Sequence, residues 1–79
     1  MKIKVLFFAS FREMVGSSSV EVEVAEDATT TTVFAGLCEQ YPQFRLGSMT
    51  MAVNKLYITD EVRLKEGDEL ALLPPISGG

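Results

Sequence analysis

The sequence predicts a small α+β domain in which one helix lies across one face of a β-sheet. Three observations predict it. Apolar residues alternate with period two at both ends of the chain and in its middle. One stretch alone, Val33 to Tyr41, repeats at three- and four-residue spacing. With 79 residues the chain has material for a single hydrophobic core.

Each element has a local reason. From Met1 to Ala9, residues Ile3, Val5 and Phe7 point one way, and Lys2, Lys4, Leu6 and Phe8 the other. The second set changes from charged to apolar along the strand, so its later half is expected to be covered or to await a cover. Ser10 to Val15 forms a short helical turn closed by Gly16, and Gly16-Ser17-Ser18-Ser19 turns the chain. Val20, Val22 and Val24 then alternate with Glu21, Glu23 and Ala25, giving a half-buried strand that makes a hairpin with the first. A threonine of the Thr29–Thr32 run, or Asp27, caps the main helix, and Pro42 stops it. Arg45 to Ser48 reads as loop. Met49, Met51 and Val53 alternate with Thr50, Ala52 and Asn54 as a third strand, and Asn54-Lys55 turns into a short strand around Tyr57. Asp60 to Lys65 is a connection with Val62 and Leu64 inward. Glu66-Gly67-Asp68 is a tight turn, and Glu69 to Leu73 is the last strand. If the first and last strands lie together in parallel, this order makes a β-grasp.

Composition narrows the chemistry. The hydrophobic share of 47% is that of a globular domain, which excludes a disordered chain. There is no histidine and one cysteine, so a histidine base, an intramolecular disulfide and a cysteine-rich metal site are all excluded. Cys38 shares helical spacing with Phe34 and Tyr41 and reads as a small core hydrophobe. Glu21, Glu23, Glu26 and Asp27 read as a solvated face, and Arg12-Glu13 as a surface turn. No phosphate loop, zinc spacing or nucleophile elbow is present. No metal site and no intrinsically bound cofactor are expected. The net charge of -4 argues against nucleic acid and suits a partner with a basic docking face, and it is equally a way to stay soluble. No apolar run can span a membrane and no leader peptide is legible, so a reducing, cytoplasmic setting is expected.

The tail carries the functional signal. Gly78-Gly79 follow Pro74-Pro75-Ile76-Ser77. The prolines have fixed φ and no N–H, so they end the last strand and start a stiff, extended stalk. Extended, residues 74–79 would reach on the order of 20 Å. A bare glycine tip has no side chain to block a narrow channel in another protein, so 74–79 is expected to protrude from a single 1–79 domain. Ser77 lacks a base and reads as a small stalk residue. The one group with a plausible reaction is the carboxylate of Gly79, inert until a partner activates it as an acyl-adenylate. A helix packed on Val5, Phe7, Leu70 and Leu72 would leave Leu6, Phe8, Ala71 and Leu73 on the other face, with Tyr57 able to join them. Either a partner covers that apolar patch or loops of the chain do.

These residues resemble the small, sulfur-carrying subunits of molybdopterin synthases, members of the ubiquitin-like sulfur carriers. The resemblance covers nearly the whole chain. It rests on Lys4-Val5-Leu6-Phe7-Phe8-Ala9, Arg12-Glu13 with Gly16, Ala52-Val53-Asn54, Glu66-Gly67-Asp68-Glu69 and Pro74-Pro75-Ile76-Ser77-Gly78-Gly79. The helix region departs from it through its threonine run, and there only the hydrophobic spacing and Pro42 match. The resemblance implies a ubiquitin-like β-grasp carrier that is not catalytic alone. An adenylyltransferase related to ubiquitin-activating enzymes would bind the open sheet face and use MgATP to form a glycyl adenylate at Gly79, and a sulfur donor would convert it to a thiocarboxylate (1-thioglycine). The carrier would then dock on the synthase large subunit in a heterotetramer and pass sulfur to cyclic pyranopterin monophosphate, building the molybdopterin dithiolene. By position Gly79 would bear the sulfur and Gly78 would be its flexible neighbour. Phe8, Tyr57 and Leu73 would form the docking surface, with Pro74, Pro75, Ile76 and Ser77 threading into the partner.

Two other classes remain open. Carriers for thiamine or tRNA thiolation also end in Gly-Gly, although the Pro74-Pro75 stalk and the stretch from Phe8-Ala9 to Arg12-Glu13 favour the first reading. A ubiquitin-like modifier joined to lysines, or a plain interaction module, is the third.

Overall fold

The structure is a computed structural model that describes residues 1–46 and 49–75. In chain order the strands and helices are β1 (Lys2–Phe7), α1 (Ser10–Val15), β2 (Ser19–Glu23), α2 (Thr30–Gln40), β3 (Thr50–Val53), β4 (Leu56–Ile58) and β5 (Glu69–Leu73), with a 3-10 helix over Pro42–Leu46. The strands form one mixed sheet in the order β2-β1-β5-β3-β4. β1 and β5 are parallel, and the other pairs are antiparallel. The first and last strands thus lie side by side at the centre of the sheet, which is the β-grasp arrangement.

Register sorts the side chains into two faces, because successive residues of a strand point oppositely. Val5 lies beside Val20 and Leu70, and Leu70 beside Val53. Phe7 lies beside Leu72, and Met51 bridges Leu72 and Ile58. These rows face α2, whose Val33, Leu37 and Cys38 are buried against them. Ile3, Val5, Phe7, Leu70 and Leu72 are almost wholly excluded from solvent. Cys38 is a free, buried thiol within the core, as its spacing predicts.

The helix starts are local in origin. Thr29 is the N-cap of α2, and its Oγ1 accepts from the Thr32 N–H at 3.3 Å while Thr32 Oγ1 accepts from the Thr29 N–H at 2.8 Å. This reciprocal box satisfies two of the helix's orphan donors. Thr29 Oγ1 also donates to Glu61 Oε2 at 2.6 Å, which ties the helix start to the connection after β4. Gly16 ends α1 at φ 84°, and Gly67 sits at φ 84° in the turn before β5. Both positions favour a residue without Cβ.

One segment differs from the sequence reading. Residues 45 and 46, expected to be loop, belong to the 3-10 helix, and Pro42 opens that helix as well as closing α2. The cause is tertiary. Phe44 is buried at the hub of an aromatic cluster, stacked on Phe7 with centroids 6.1 Å apart. Phe11 and Tyr41 meet it edge-on at 5.5 and 5.7 Å, and Phe34 tilts against it at 6.5 Å. A single phenylalanine in a polar stretch has no periodicity to announce this burial. No helix among the described residues is long and apolar enough to cross a membrane.

Phe44→Ala should cost about 3–5 kcal/mol of unfolding free energy, read by urea denaturation. In so small a domain that is a large part of the total.

Candidate functional site

Among the described residues, the face of the sheet turned away from α2 carries no helix. A row of side chains crosses it through Leu6, Ala71, Ala52 and Tyr57, neighbours in register on β1, β5, β3 and β4. One step further along the strands stand Phe8 and Leu73. The Phe8 N–H donates to the Leu72 carbonyl at 3.3 Å, which extends the β1–β5 ladder to the edge of this patch. Ala9 then reverses the chain at φ 52°, ψ -128°, an uncommon conformation for a residue with a Cβ. Phe8 is 44% exposed and Tyr57 65% exposed, which makes them, with Leu56, the large hydrophobics left open to solvent among the described residues. Between Phe8, Tyr57, Ala71 and Leu73 lies a shallow depression of about 190 Å³. No loop among the described residues therefore covers the patch.

The sequence-predicted docking residues meet here. Phe8, Tyr57 and Leu73 share this face as expected, with Leu73 half-buried. Pro74 follows directly, half-buried, and Pro75 is exposed. Lacking an N–H, Pro74 ends the ladder where β5 leaves the sheet. Ile76, Ser77, Gly78 and Gly79 lie outside the described residues.

Three contributors were not anticipated. Ala52, Lys55 and Glu69 also line the depression. The alternation of Met51 and Val53 with Ala52 contained the first, since residues between core-facing positions must point the other way. The second depends on a turn held by a polar clamp. Asn54 Nδ2 donates to Asp68 Oδ1 at 3.0 Å, and Asn54 Oδ1 accepts from the Glu69 N–H at 3.0 Å. The Asn54 N–H donates to the Glu69 carbonyl at 2.8 Å, and Asp68 Oδ2 accepts from the Lys65 N–H at 2.8 Å. Ala52-Val53-Asn54 and Glu66-Gly67-Asp68-Glu69, distant in sequence, are thereby one structural unit, which holds the β3–β4 hairpin and its Tyr57 against β5.

The charge pattern of this face is mixed. On the open face Lys2 and Lys4 pair in register with Glu23 and Glu21, Lys4 also with Glu69, and Lys55 borders the depression. Three cations and three carboxylates balance, so the net -4 of the chain lies wholly on its other parts. The acidic excess of the composition therefore lies outside the named residues of this face. The surface that fits it is apolar at one end and mixed in charge at the other.

The model of the ThiS family matches residues 5–79. The chain belongs to the ThiS family. It is 36% identical to the molybdopterin synthase sulfur carrier subunit of Chlamydomonas reinhardtii, with 100% of each chain covered. To the subunit of that name from Escherichia coli K12 it is 37% identical, over 98% of this chain and 99% of the relative. Among solved structures, subunits 1 and 2 of the molybdopterin-converting factor of Helicobacter pylori 26695 form a protein–protein complex, in which one chain matches at a TM-score of 0.72 and 30% identity, with 100% of both chains covered. SAMP1 from Haloferax volcanii matches at a TM-score of 0.82 and 29% identity, again over 100% of both. The fold of this ThiS-family chain is thus that of the ubiquitin-like β-grasp sulfur carriers and modifiers.

Phe8→Ser and Tyr57→Ser should each leave the unfolding free energy within about 1 kcal/mol of wild type, since neither side chain is in the core. Denaturant titration checks this, and a larger loss would place either residue in the core.

Proposed function

We propose that this chain is the sulfur carrier subunit of a molybdopterin synthase, without catalytic activity of its own. The observation that carries this reading is the whole-length match to molybdopterin synthase sulfur carrier subunits, of which 99–100% is covered in the two cases above. The open apolar face supports it, because a carrier must present a docking surface next to the strand that leads into its reactive tail.

In this reading Gly79 is the reactive residue. Its carboxylate attacks the α-phosphate of MgATP in the active site of an adenylyltransferase, and pyrophosphate leaves. A sulfur nucleophile then displaces AMP from the glycyl adenylate and leaves a thiocarboxylate, a 1-thioglycine at Gly79. A thiocarboxylate is the better sulfur nucleophile, so the carrier needs no base of its own, and the partners supply the acid–base groups and the cations that hold anions. Phe8, Tyr57 and Leu73 dock the carrier on the large subunit in a heterotetramer, in the cytoplasm. Pro74, Pro75, Ile76 and Ser77 carry Gly78 and Gly79 into that subunit's pocket, where sulfur passes to cyclic pyranopterin monophosphate and the carboxylate is regenerated. Gly78 provides the freedom to enter a narrow channel.

A second reading has an observation in its favour. The Haloferax volcanii protein SAMP1, a small archaeal modifier protein, is as similar in fold and sequence as the synthase subunit. A modifier would form an isopeptide bond through the same terminal carboxylate.

Intact mass spectrometry after incubation with a cognate adenylyltransferase, MgATP and a sulfur donor separates the two. The expected product has one terminal oxygen replaced by sulfur, mapped to Gly79. Adducts on lysines would favour the modifier. Deleting Gly79 should abolish loading and leave the melting temperature unchanged. Phe8→Ala should weaken binding to the large subunit by about tenfold or more, the size of an interface hot spot, as measured by titration calorimetry.

A further inference from the structure

Lys55 occupies a place that favours glycine. Asn54 and Lys55 close the β3–β4 hairpin with φ of 49° and 72°. Positive φ at both central residues is the condition of a type I′ turn, for which Asn-Gly is the preferred pair. Asn54 has a local reason to accept this conformation, since asparagine tolerates it and its carboxamide makes the clamp to Asp68 and Glu69. Lysine gains nothing comparable from the turn. Its backbone is nonetheless firmly placed, because the neighbouring Asn54 N–H is bonded to the Glu69 carbonyl at 2.8 Å.

What the position provides is access to the open face. Lys55 is exposed and is the one cation among the residues that line the apolar depression beside Phe8 and Tyr57. Its aliphatic stem can lie along that apolar border while the ammonium stays hydrated at the rim. Backbone strain held next to a binding surface is the pattern expected when a side chain is kept for recognition.

Resting on the docking role proposed above, we infer that Lys55 is a specificity-determining residue of this face. Its ammonium donates to a carboxylate at the edge of the large subunit's apposed surface. A rim charge of this kind sets register and speeds association more than it adds affinity.

Binding of the full-length carrier variants to the purified large subunit, together with their thermal unfolding, tests this. Lys55→Gly should raise the melting temperature by roughly 1–4 °C, since glycine relieves the positive φ. The same substitution should weaken binding by about five- to tenfold and flatten its salt dependence. Lys55→Arg, which keeps the charge and the strain, should match wild type in both. A residue that served only the fold would not move stability and affinity in opposite directions. Wild-type affinity of Lys55→Gly, or a fall in its melting temperature, would overturn the inference alone. Failure of the wild-type carrier to bind the large subunit would overturn the docking role and the inference together.

Discussion

The parallel pairing of β1 with β5 is the constraint on which the remaining geometry depends. Parallel neighbours cannot be joined by a tight turn, so everything between them must cross over and return. In this chain the crossing segment holds the main helix and the β3–β4 hairpin, and β3 returns to the free side of β5. The pairing also sets Phe8 next to Leu73, and so joins the end of the first strand to the start of the tail. The surface proposed for docking and the start of the tail proposed to react are adjacent because of this one ladder.

The second constraint is coverage. Five strands at about 4.8 Å spacing make a sheet roughly 19 Å across, and a chain this short supplies helices for one face only. The covered face is finished by Phe44, whose 3-10 helix closes the aromatic cluster over Phe7 and Phe11. The other face is left open, and its central row of Leu6, Ala71, Ala52 and Tyr57 combines small residues with large ones at the margins. Small side chains in the middle and Phe8 and Tyr57 at the rim make a shallow depression in place of a flat sheet. Exposed apolar surface of this kind is retained where a partner covers it.

Charge is divided between the surfaces. The open face balances its lysines and glutamates, while the acidic excess lies elsewhere. A neutral, mixed face suits specific docking, since each misplaced charge is penalised, and an acidic remainder keeps the free carrier soluble. The clamp from Asn54 to Asp68 and Glu69 holds the hairpin turn in a fixed place beside that face. In the docking proposed above, stability and recognition therefore meet in the same turn.

The sequence by itself determined the strands, the helix and the face each residue takes, because period two and period 3.6 are local properties. Ile3, Val5 and Phe7 against Leu6 and Phe8, and Leu70 and Leu72 against Ala71 and Leu73, were all legible without coordinates. It also singled out the Pro74–Gly79 tail, from residue types alone, as the segment proposed to react. The tertiary structure decided what depends on contacts distant in sequence. It buried Phe44, an isolated phenylalanine whose burial needs Phe7, Phe11 and Phe34 to converge on it. It drew Ala52 and Lys55 into the open face and cancelled the charge there. Strand order and charge placement arise from which strands become neighbours, and no periodicity along the chain encodes that choice.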